Sequence, residues 1–200
     1  MKNLAIVVTA LVLISFSCER GGKESSEKNN SKKADKVKLE IDADVDTLNF
    51  VWKAMIRSDD QKLADIKRLL LEVSYTERYD ITLYDSAIAM QKRLPAKRYD
   101  QATMADSKLI DSYDAATDSL LRLTMKITST AKGIDGHPLA AQLLNDISEA
   151  DNKVVRYRAE YDIWVKRYNK CLKDNDKQLK KLGEPYSSYN PKPLFEIGAQ

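Results

Sequence analysis

A heptad pattern of apolar residues near the C-terminal end constrains this chain more than any other feature. From residue 143 onward, apolar side chains recur in alternating steps of four and three, without a miss. They are Leu143, Ile147, Ala150, Val154, Tyr157, Tyr161, Trp164, Tyr168 and Cys171. Such spacing places them on one stripe of a long helix, and that stripe packs along a neighbouring helix at a shallow angle. The pattern therefore predicts a coiled-coil-like helical bundle.

Two further segments carry helical spacing, and no strand pattern competes with them. Segment 44–94 has apolar residues mostly three or four apart and contains neither Gly nor Pro. It is either one very long helix or two helices that meet around 74–79, where weak helix formers cluster. Segment 99–131 carries a second stripe, and two glycines and a proline within 133–138 then mark the next boundary. The second stripe contains Leu109, Tyr113, Ala116, Leu120, Leu123 and Ile127.

These segments predict an all-α fold, an up-and-down antiparallel helical bundle of three or four long helices over residues 43–182. Three helices are expected if 44–94 is unbroken, and four if it bends. Only 6 Gly and 5 Pro in 200 residues also favour a helical protein over a turn-rich β protein. Asp59 and Asp60 stand where the stripe expects a core residue, which predicts a polar layer or a phase shift there.

The N-terminal residues differ in character from the rest of the chain. Lys2 precedes the apolar run 4–16. At 1.5 Å per residue that run gives about 20 Å of helix, short of the roughly 30 Å of a bilayer core. This arrangement is typical of a secretory signal peptide, predicted over 1–17. Residues 18–42 begin with charged and small polar side chains that bury little apolar surface, which predicts a flexible polar tether.

Cys18 stands directly after the signal-like run and follows the small residue Ser17. This arrangement resembles the lipobox of bacterial lipoproteins, which implies lipidation of Cys18 and removal of residues 1–17. An uncleaved signal anchor is the alternative. Glu19 does not resemble the Asp that marks inner-membrane retention in enterobacterial lipoproteins. The resemblance therefore favours a lipid-anchored location in the cell envelope, at the outer membrane rather than the inner membrane, with periplasmic or surface orientation left open.

The side-chain inventory argues against most enzyme classes. The chain has a single histidine, His137. A zinc site of the HExxH kind needs two histidines, and His137 is badly placed for a classical Ser-His-Asp triad. The acidic pairs Asp59–Asp60 and Glu149–Asp151 lack a further ligand type nearby. We therefore predict that the protein is not an enzyme, with no catalytic residue, no metal site and no cofactor. The 33 basic and 30 acidic residues are interspersed, which argues against a nucleic-acid partner.

Three stretches of the chain resemble the LemA family of bacterial envelope-associated proteins. They are VDTLNFVWKAMIRSDDQKLADIKRLLLEV (45–73), HPLAAQLLNDISEADNKVVRYRAEYDIWVKRYNKCL (137–172) and NPKPLFEI (190–197). The resemblance implies an antiparallel helical bundle held at the membrane by its amino terminus, with no established enzymatic activity or agreed ligand. Residues 76–130 match poorly. Family members typically keep an uncleaved transmembrane helix, whereas this chain has the lipobox-like start of a lipoprotein form of the kind seen in Bacteroidetes.

Two surfaces are candidates for contact with a partner. The last helix carries lysines beside its aromatic stripe, which predicts either a solvated face or a contact for anionic lipid or an acidic envelope partner. This candidate interaction face contains Tyr157, Tyr161, Trp164, Tyr168, Lys166, Lys170, Lys173 and Lys177. In the tail 183–200, Pro191 and Pro193 favour an extended chain, and Phe195 is expected either to dock on the bundle or to be presented to a partner.

Taken together, these features predict a lipid-anchored helical-bundle protein of the cell envelope with a non-enzymatic scaffold or interaction role. The alternative is a binding module for an amphiphilic or anionic envelope ligand along the Tyr- and Lys-rich helix face. The expected partners are the membrane, through the lipid anchor, and either an envelope protein or anionic lipid. The oligomeric state is left open.

Overall fold

The computed structural model describes residues 21–195, and this part of the chain contains four α-helices and no strand. The helices are α1 (Gly21–Ser74), α2 (Ile81–Arg93), α3 (Ser107–Thr130) and α4 (Pro138–Leu182). The prediction of an all-α helical bundle is confirmed. The predicted signal peptide, Cys18 and residues 196–200 lie outside the described residues. No helix within 21–195 is both long enough and apolar enough to span a bilayer.

The helices run up, down, up and down. α1 and α4 are antiparallel, because Lys62 pairs with Asp151 while Asp44, nearer the start of α1, pairs with Arg167. α2 returns beside α1, and α3 runs in the same direction as α1. α1 and α4 are much longer than α2 and α3, so they continue together beyond the four-helix part. That continuation, residues 31–52 of α1 with 161–182 of α4, is called the two-helix end below.

Residues 75–80 divide segment 44–94 into two helices, as the weak helix formers there indicated. Thr76 turns its hydroxyl back to the carbonyl of Val73 at 2.7 Å, which competes with continuation of the helix. Asp80 then caps α2 by accepting the backbone N–H of Leu83 at 3.0 Å. Gly133, with φ of +91°, closes the facing connection between α3 and α4.

α3 begins at Ser107, later than the predicted segment 99–131. Pro95 lies in a short 3₁₀ turn, and Asp100 accepts the backbone N–H groups of Ala102 and Thr103 at 2.9 and 2.8 Å. These local hydrogen bonds hold residues 94–106 as an irregular connection instead of a helix. The connection carries Arg98 and Tyr99 into the interior of the bundle, where both contribute to the site described below.

The predicted tether over 18–42 is corrected for the described residues. α1 already begins at Gly21, and Val37 and Ile41 are 4% and 0% exposed in the core. Their spacing of four residues continues, through Asp44 and Leu48, the same stripe that packs along α4. The packed body therefore begins well before residue 43, because burial of this stripe outweighs the polar composition around it.

Candidate functional site

The aromatic part of the predicted interaction face is largely internal, which corrects that prediction. Tyr161 and Tyr168 are 0% and 2% exposed. Tyr157 is half-buried, as is Trp164, whose ring lies under the guanidinium of Arg167 at 5.1 Å. The heptad stripe faces α1, so its tyrosines fill the helix interface instead of forming a surface that stacks on a ligand.

The lysines of that face are all exposed on α4. Lys170 pairs with Asp174 one turn later on the same helix. Within residues 31–195, Lys166, Lys173 and Lys177 form no ion pair. The basic half of the predicted face is therefore available to solvent or to a partner, whereas most of the aromatic half is not.

The C-terminal tail is docked on the bundle as far as Phe195. The side-chain amide of Asn169 donates to the carbonyl of Lys192 and accepts its backbone N–H, both at 2.8 Å. Asp162 accepts the backbone N–H of Phe195 at 2.8 Å. Pro191 stays exposed and Pro193 is half-buried. Because these bonds go to the backbone of the tail, they hold an extended chain in one register.

Phe195 completes an aromatic cluster between α1, α4 and the connection 94–106. Its ring stacks on Trp52 at 6.2 Å and 13°, and it meets the edges of Tyr99 and Tyr161 at 6.0 and 5.5 Å. The guanidinium of Arg158 lies 5.1 Å from its centre. Burial raises the pKa of Tyr161 to about 12, so this cluster stays uncharged at neutral pH.

A buried charged layer lies next to the aromatic cluster and is centred on Asp59. Arg98 donates to Asp59 Oδ2 at 2.7 Å, and the hydroxyl of Tyr113 makes a short hydrogen bond to the same oxygen. Lys62 lies 3.6 Å from Asp59 Oδ1 and donates to Asp151 at 3.0 Å. This is the polar layer predicted from the interrupted stripe. Burial and the bond to Asp59 raise the pKa of Tyr113, so its hydroxyl keeps its proton.

A second ion pair crosses from α4 to α3. Arg158 donates to both carboxylate oxygens of Asp114 at 2.7 Å and to the hydroxyl of Tyr99 at 2.9 Å. The fork geometry fixes the distance between the two helices at this level. Burial raises the pKa of Tyr99 despite the nearby guanidinium of Arg158. The three cations of this region, Lys62, Arg98 and Arg158, are therefore each matched by a carboxylate.

A cleft runs between α3 and α4, because α3 packs against α1 and α2 and makes little direct contact with α4. It contains a charged cavity of about 330 Å³ and an apolar cavity of about 310 Å³, and Asp151 and Asn152 line both. The charged cavity is bounded by Asp59, Lys62, Arg98, Asp114, Asp118 and Arg158. The apolar cavity is bounded chiefly by Leu69, Leu121, Met125, Leu144 and Ile147. This pair of cavities is called the α3/α4 cleft below.

Sequence reasoning missed the α3/α4 cleft, although one signal pointed to part of it. The interruption at Asp59 marks a buried carboxylate, and a buried carboxylate requires cationic or hydroxyl partners. The partners come from residues 98, 113 and 158, which are far apart in the chain and follow no motif.

In the described part of the chain, no group of three or more His, Cys, Asp or Glu side chains is arranged to hold a metal ion. No protein-family profile, curated protein or solved structure matches the chain.

Proposed function

We propose that this protein is a lipid-anchored helical bundle of the bacterial cell envelope, of the LemA type, with a non-enzymatic scaffold or interaction role. The observation that carries the proposal is the continuity of α1 from Gly21 to Ser74. Its first residue is three positions after Cys18. A lipid on Cys18 would therefore be joined through the same helix to the packed body, whose first buried residue is Val37.

The dimensions of α1 suit a spacer. At 1.5 Å per residue, its 54 residues extend about 80 Å. α4 runs antiparallel along it and is tied to it by Lys62–Asp151 and Asp44–Arg167. Paired helices bend far less than an unstructured chain. The four-helix part would therefore be held at a set distance from the membrane, which a flexible tether would not do.

The internal pairing of the buried charges also favours a scaffold over an enzyme. A catalytic acid or base must come within hydrogen-bond reach of its substrate. Asp59 is instead occupied by Arg98, Tyr113 and Lys62, and Asp114 by Arg158. In the proposed scaffold, these ion pairs fix the register of the helices that they join.

The anchor is tested by metabolic labelling with a fatty-acid analogue in a bacterial host. The native chain is expected to carry the label and to fractionate with membranes, and Cys18→Ala is expected to lose both properties. Equal labelling of the two proteins would exclude lipidation of Cys18 and favour the signal anchor.

The interaction role is tested by crosslinking in the native envelope, followed by purification under denaturing conditions. A photoreactive residue is placed at exposed Met125 on α3, with one at exposed Leu39 near the start of α1 as the matched position. Recovery of one stoichiometric protein at the α3 position supports a scaffold. Absence of any adduct at both positions contradicts it.

A second candidate is contact between the exposed lysines of α4 and anionic lipid. The antiparallel register supports it, since the chain after α4 lies beside the N-terminal half of α1, where Lys38 packs over the ring of Tyr186 and the Tyr186 hydroxyl donates to Asp42. Lys173 and Lys177 would then lie on the membrane-proximal part of the bundle, where each contributes roughly 1 kcal/mol against an anionic surface. Liposome binding by the unlipidated chain should increase with anionic lipid and decrease with salt, and independence from both excludes the contact.

A further inference from the structure

The α3/α4 cleft joins an apolar half to a charged half at Asp151 and Asn152. α3 and α4 make few direct contacts across this cleft, and the ion pair of Arg158 with Asp114 connects the two helices. An opening of this kind leaves apolar side chains in water, and Met125 and Val155 on its walls are 53% and 56% exposed. Covering such apolar surface with an apolar ligand is favourable through the hydrophobic effect.

The apolar half fits a hydrocarbon chain. Its floor contains the core residues Leu69 and Ile147, and its walls contain Leu121, Met125 and Leu144. A cavity of about 310 Å³ is within the size range of small-ligand sites. Each methylene group moved there from water would strengthen binding about fourfold.

The charged half is lined by four carboxylates and three cationic side chains, and the one buried side-chain donor there that lacks a partner among the described residues is Nε of Arg158. Lys62, Arg98 and Arg158 are all engaged by carboxylates. Asp118, in contrast, is 59% exposed, and its one ion pair within residues 31–195 is with Arg122 at 3.8 Å. Lys62 donates to Oδ1 of Asp151, and Oδ2 of this 36% exposed side chain accepts no hydrogen bond within residues 31–195. A ligand group that donates hydrogen bonds and carries positive charge is therefore favoured over an anion.

We propose that the α3/α4 cleft binds a single-chain amphiphile with an ammonium head group. The ammonium group lies between Asp118 and Asp151, and the alkyl chain extends along Leu121, Leu144 and Ile147. This site differs from the Tyr- and Lys-rich face of α4, and it takes a cation instead of an anion. The inference does not depend on lipidation of Cys18.

The test uses octylamine as the probe, below its micellar concentration. The protein is the chain from residue 18 onward with Cys18→Ser, which retains every described residue. Octylamine is expected to raise the melting temperature in a saturable manner and to bind with a one-to-one stoichiometry by calorimetry. Octanoate has the same chain with the opposite charge, and ethylamine has the same head with a short chain. Both are expected to bind at least tenfold more weakly.

Variants locate the two halves of the site. Ser148 is exposed on the wall of the apolar cavity, so Ser148→Phe should fill that cavity without disturbing the core and reduce octylamine affinity at least tenfold. Asp118→Asn should reduce octylamine affinity about fivefold, since an exposed ion pair contributes up to about 1 kcal/mol. The matched control is Asp85→Asn, an exposed carboxylate on α2 outside the cleft, which should bind octylamine as the parent does.

Two results would overturn the proposal: equal responses to octylamine and octanoate, or unchanged octylamine affinity in Ser148→Phe. Destabilisation by octylamine at all concentrations would do the same, because it indicates detergent-like action. None of these outcomes bears on the proposed lipid anchor, because fatty-acid labelling of the native chain and Cys18→Ala tests it independently.

Discussion

At the scale of single residues, two buried tyrosines differ in whether their hydroxyls find a partner. Tyr113 donates to Asp59, whereas the hydroxyl of Tyr161 is buried with no hydrogen-bond partner in residues 21–195. A buried polar group without a partner costs about 1 to 3 kcal/mol. Tyr161→Phe should therefore raise the free energy of unfolding by about 1 kcal/mol. Tyr113→Phe should lower it by about 2 kcal/mol, because a hydrogen bond to a buried carboxylate is lost. Urea denaturation measures both, and the reverse order would contradict the assignment.

Asp44 is a buried carboxylate whose charge is only partly compensated. Burial raises its pKa above the ordinary value of 3.8, Arg167 at 2.8 Å opposes that shift, and Glu40 adds to it. A carboxylate with a raised pKa in the folded state binds its proton more tightly there than when unfolded. The stability that it contributes is therefore present at low pH and is lost as pH rises from about 4 through the raised pKa.

Asp44→Asn removes this dependence on pH. The melting temperature of the variant relative to the native chain should increase as pH rises from 3.5 to 7. The exposed Asp46→Asn on the same helix serves as the control for the loss of one surface charge. A difference for Asp44→Asn that shrinks with rising pH would show that the pair with Arg167 outweighs burial.

At the scale of elements, the N-terminal part of α1 is the clearest departure from the sequence-based expectation. Ile41 is fully buried, and Leu39, two residues earlier, is 72% exposed. Ile41→Ala should lower the free energy of unfolding by about 2 to 4 kcal/mol through the cavity it leaves, and Leu39→Ala should change it by less than about 0.5 kcal/mol. Chemical denaturation of the two variants makes the comparison, and equal, small effects would restore the flexible tether.

Phe195, the last described residue of the C-terminal tail, packs its ring against the bundle. Phe195→Ala removes the ring that stacks on Trp52 and meets Tyr161, so we expect a loss of about 2 kcal/mol for this half-buried side chain. Trp52 fluorescence should also shift to longer wavelength as water reaches its ring. Pro191→Ala, at an exposed position of the same tail, is the control and should leave both signals unchanged. An unchanged emission spectrum in Phe195→Ala would mean that the tail does not dock in solution.

Local periodicity predicted that the long helices exist, but it predicted neither the start of α1, nor the start of α3, nor the site. The stripe of α4 is regular because one long neighbour, α1, covers it, and this made Leu143, Ile147 and Cys171 predictable as core. In α3 the stripe failed in part, since Thr117 and Thr124 are buried while Leu109 is 39% exposed. Each of those threonine hydroxyls donates to a backbone carbonyl one turn earlier, so it is buried with its hydrogen bond satisfied. The charged layer depends on Arg98, which lies in the irregular connection 94–106. The spacing of apolar residues cannot predict the path of such a connection.

At the scale of the whole molecule, the bundle has two parts that differ in the number of packed layers. In the four-helix part α1 is covered by α2, α3 and α4, whereas at the two-helix end it is covered by α4 and the tail. α4 also leaves helical geometry at Asn175, whose φ is −123°. Fewer buried contacts mean a lower free energy for local opening. The two-helix end should therefore open without unfolding of the rest.

Native-state hydrogen exchange measures this difference. Amides of residues 31–45 and 172–182 should exchange through a partial opening, and those of α3 around Leu120 only through global unfolding. Truncation after Asn190 removes the contacts of Lys192 and Phe195 with α4. It should therefore accelerate exchange at the two-helix end by a larger factor than in α3. Leu120→Ala, in the core of the four-helix part, is the matched variant: it should accelerate exchange in α3 and leave exchange through the partial opening at the two-helix end nearly unchanged. Equal acceleration of both regions by the truncation would mean that the bundle opens as one unit, and the spacer would then be as stable as the part that it carries.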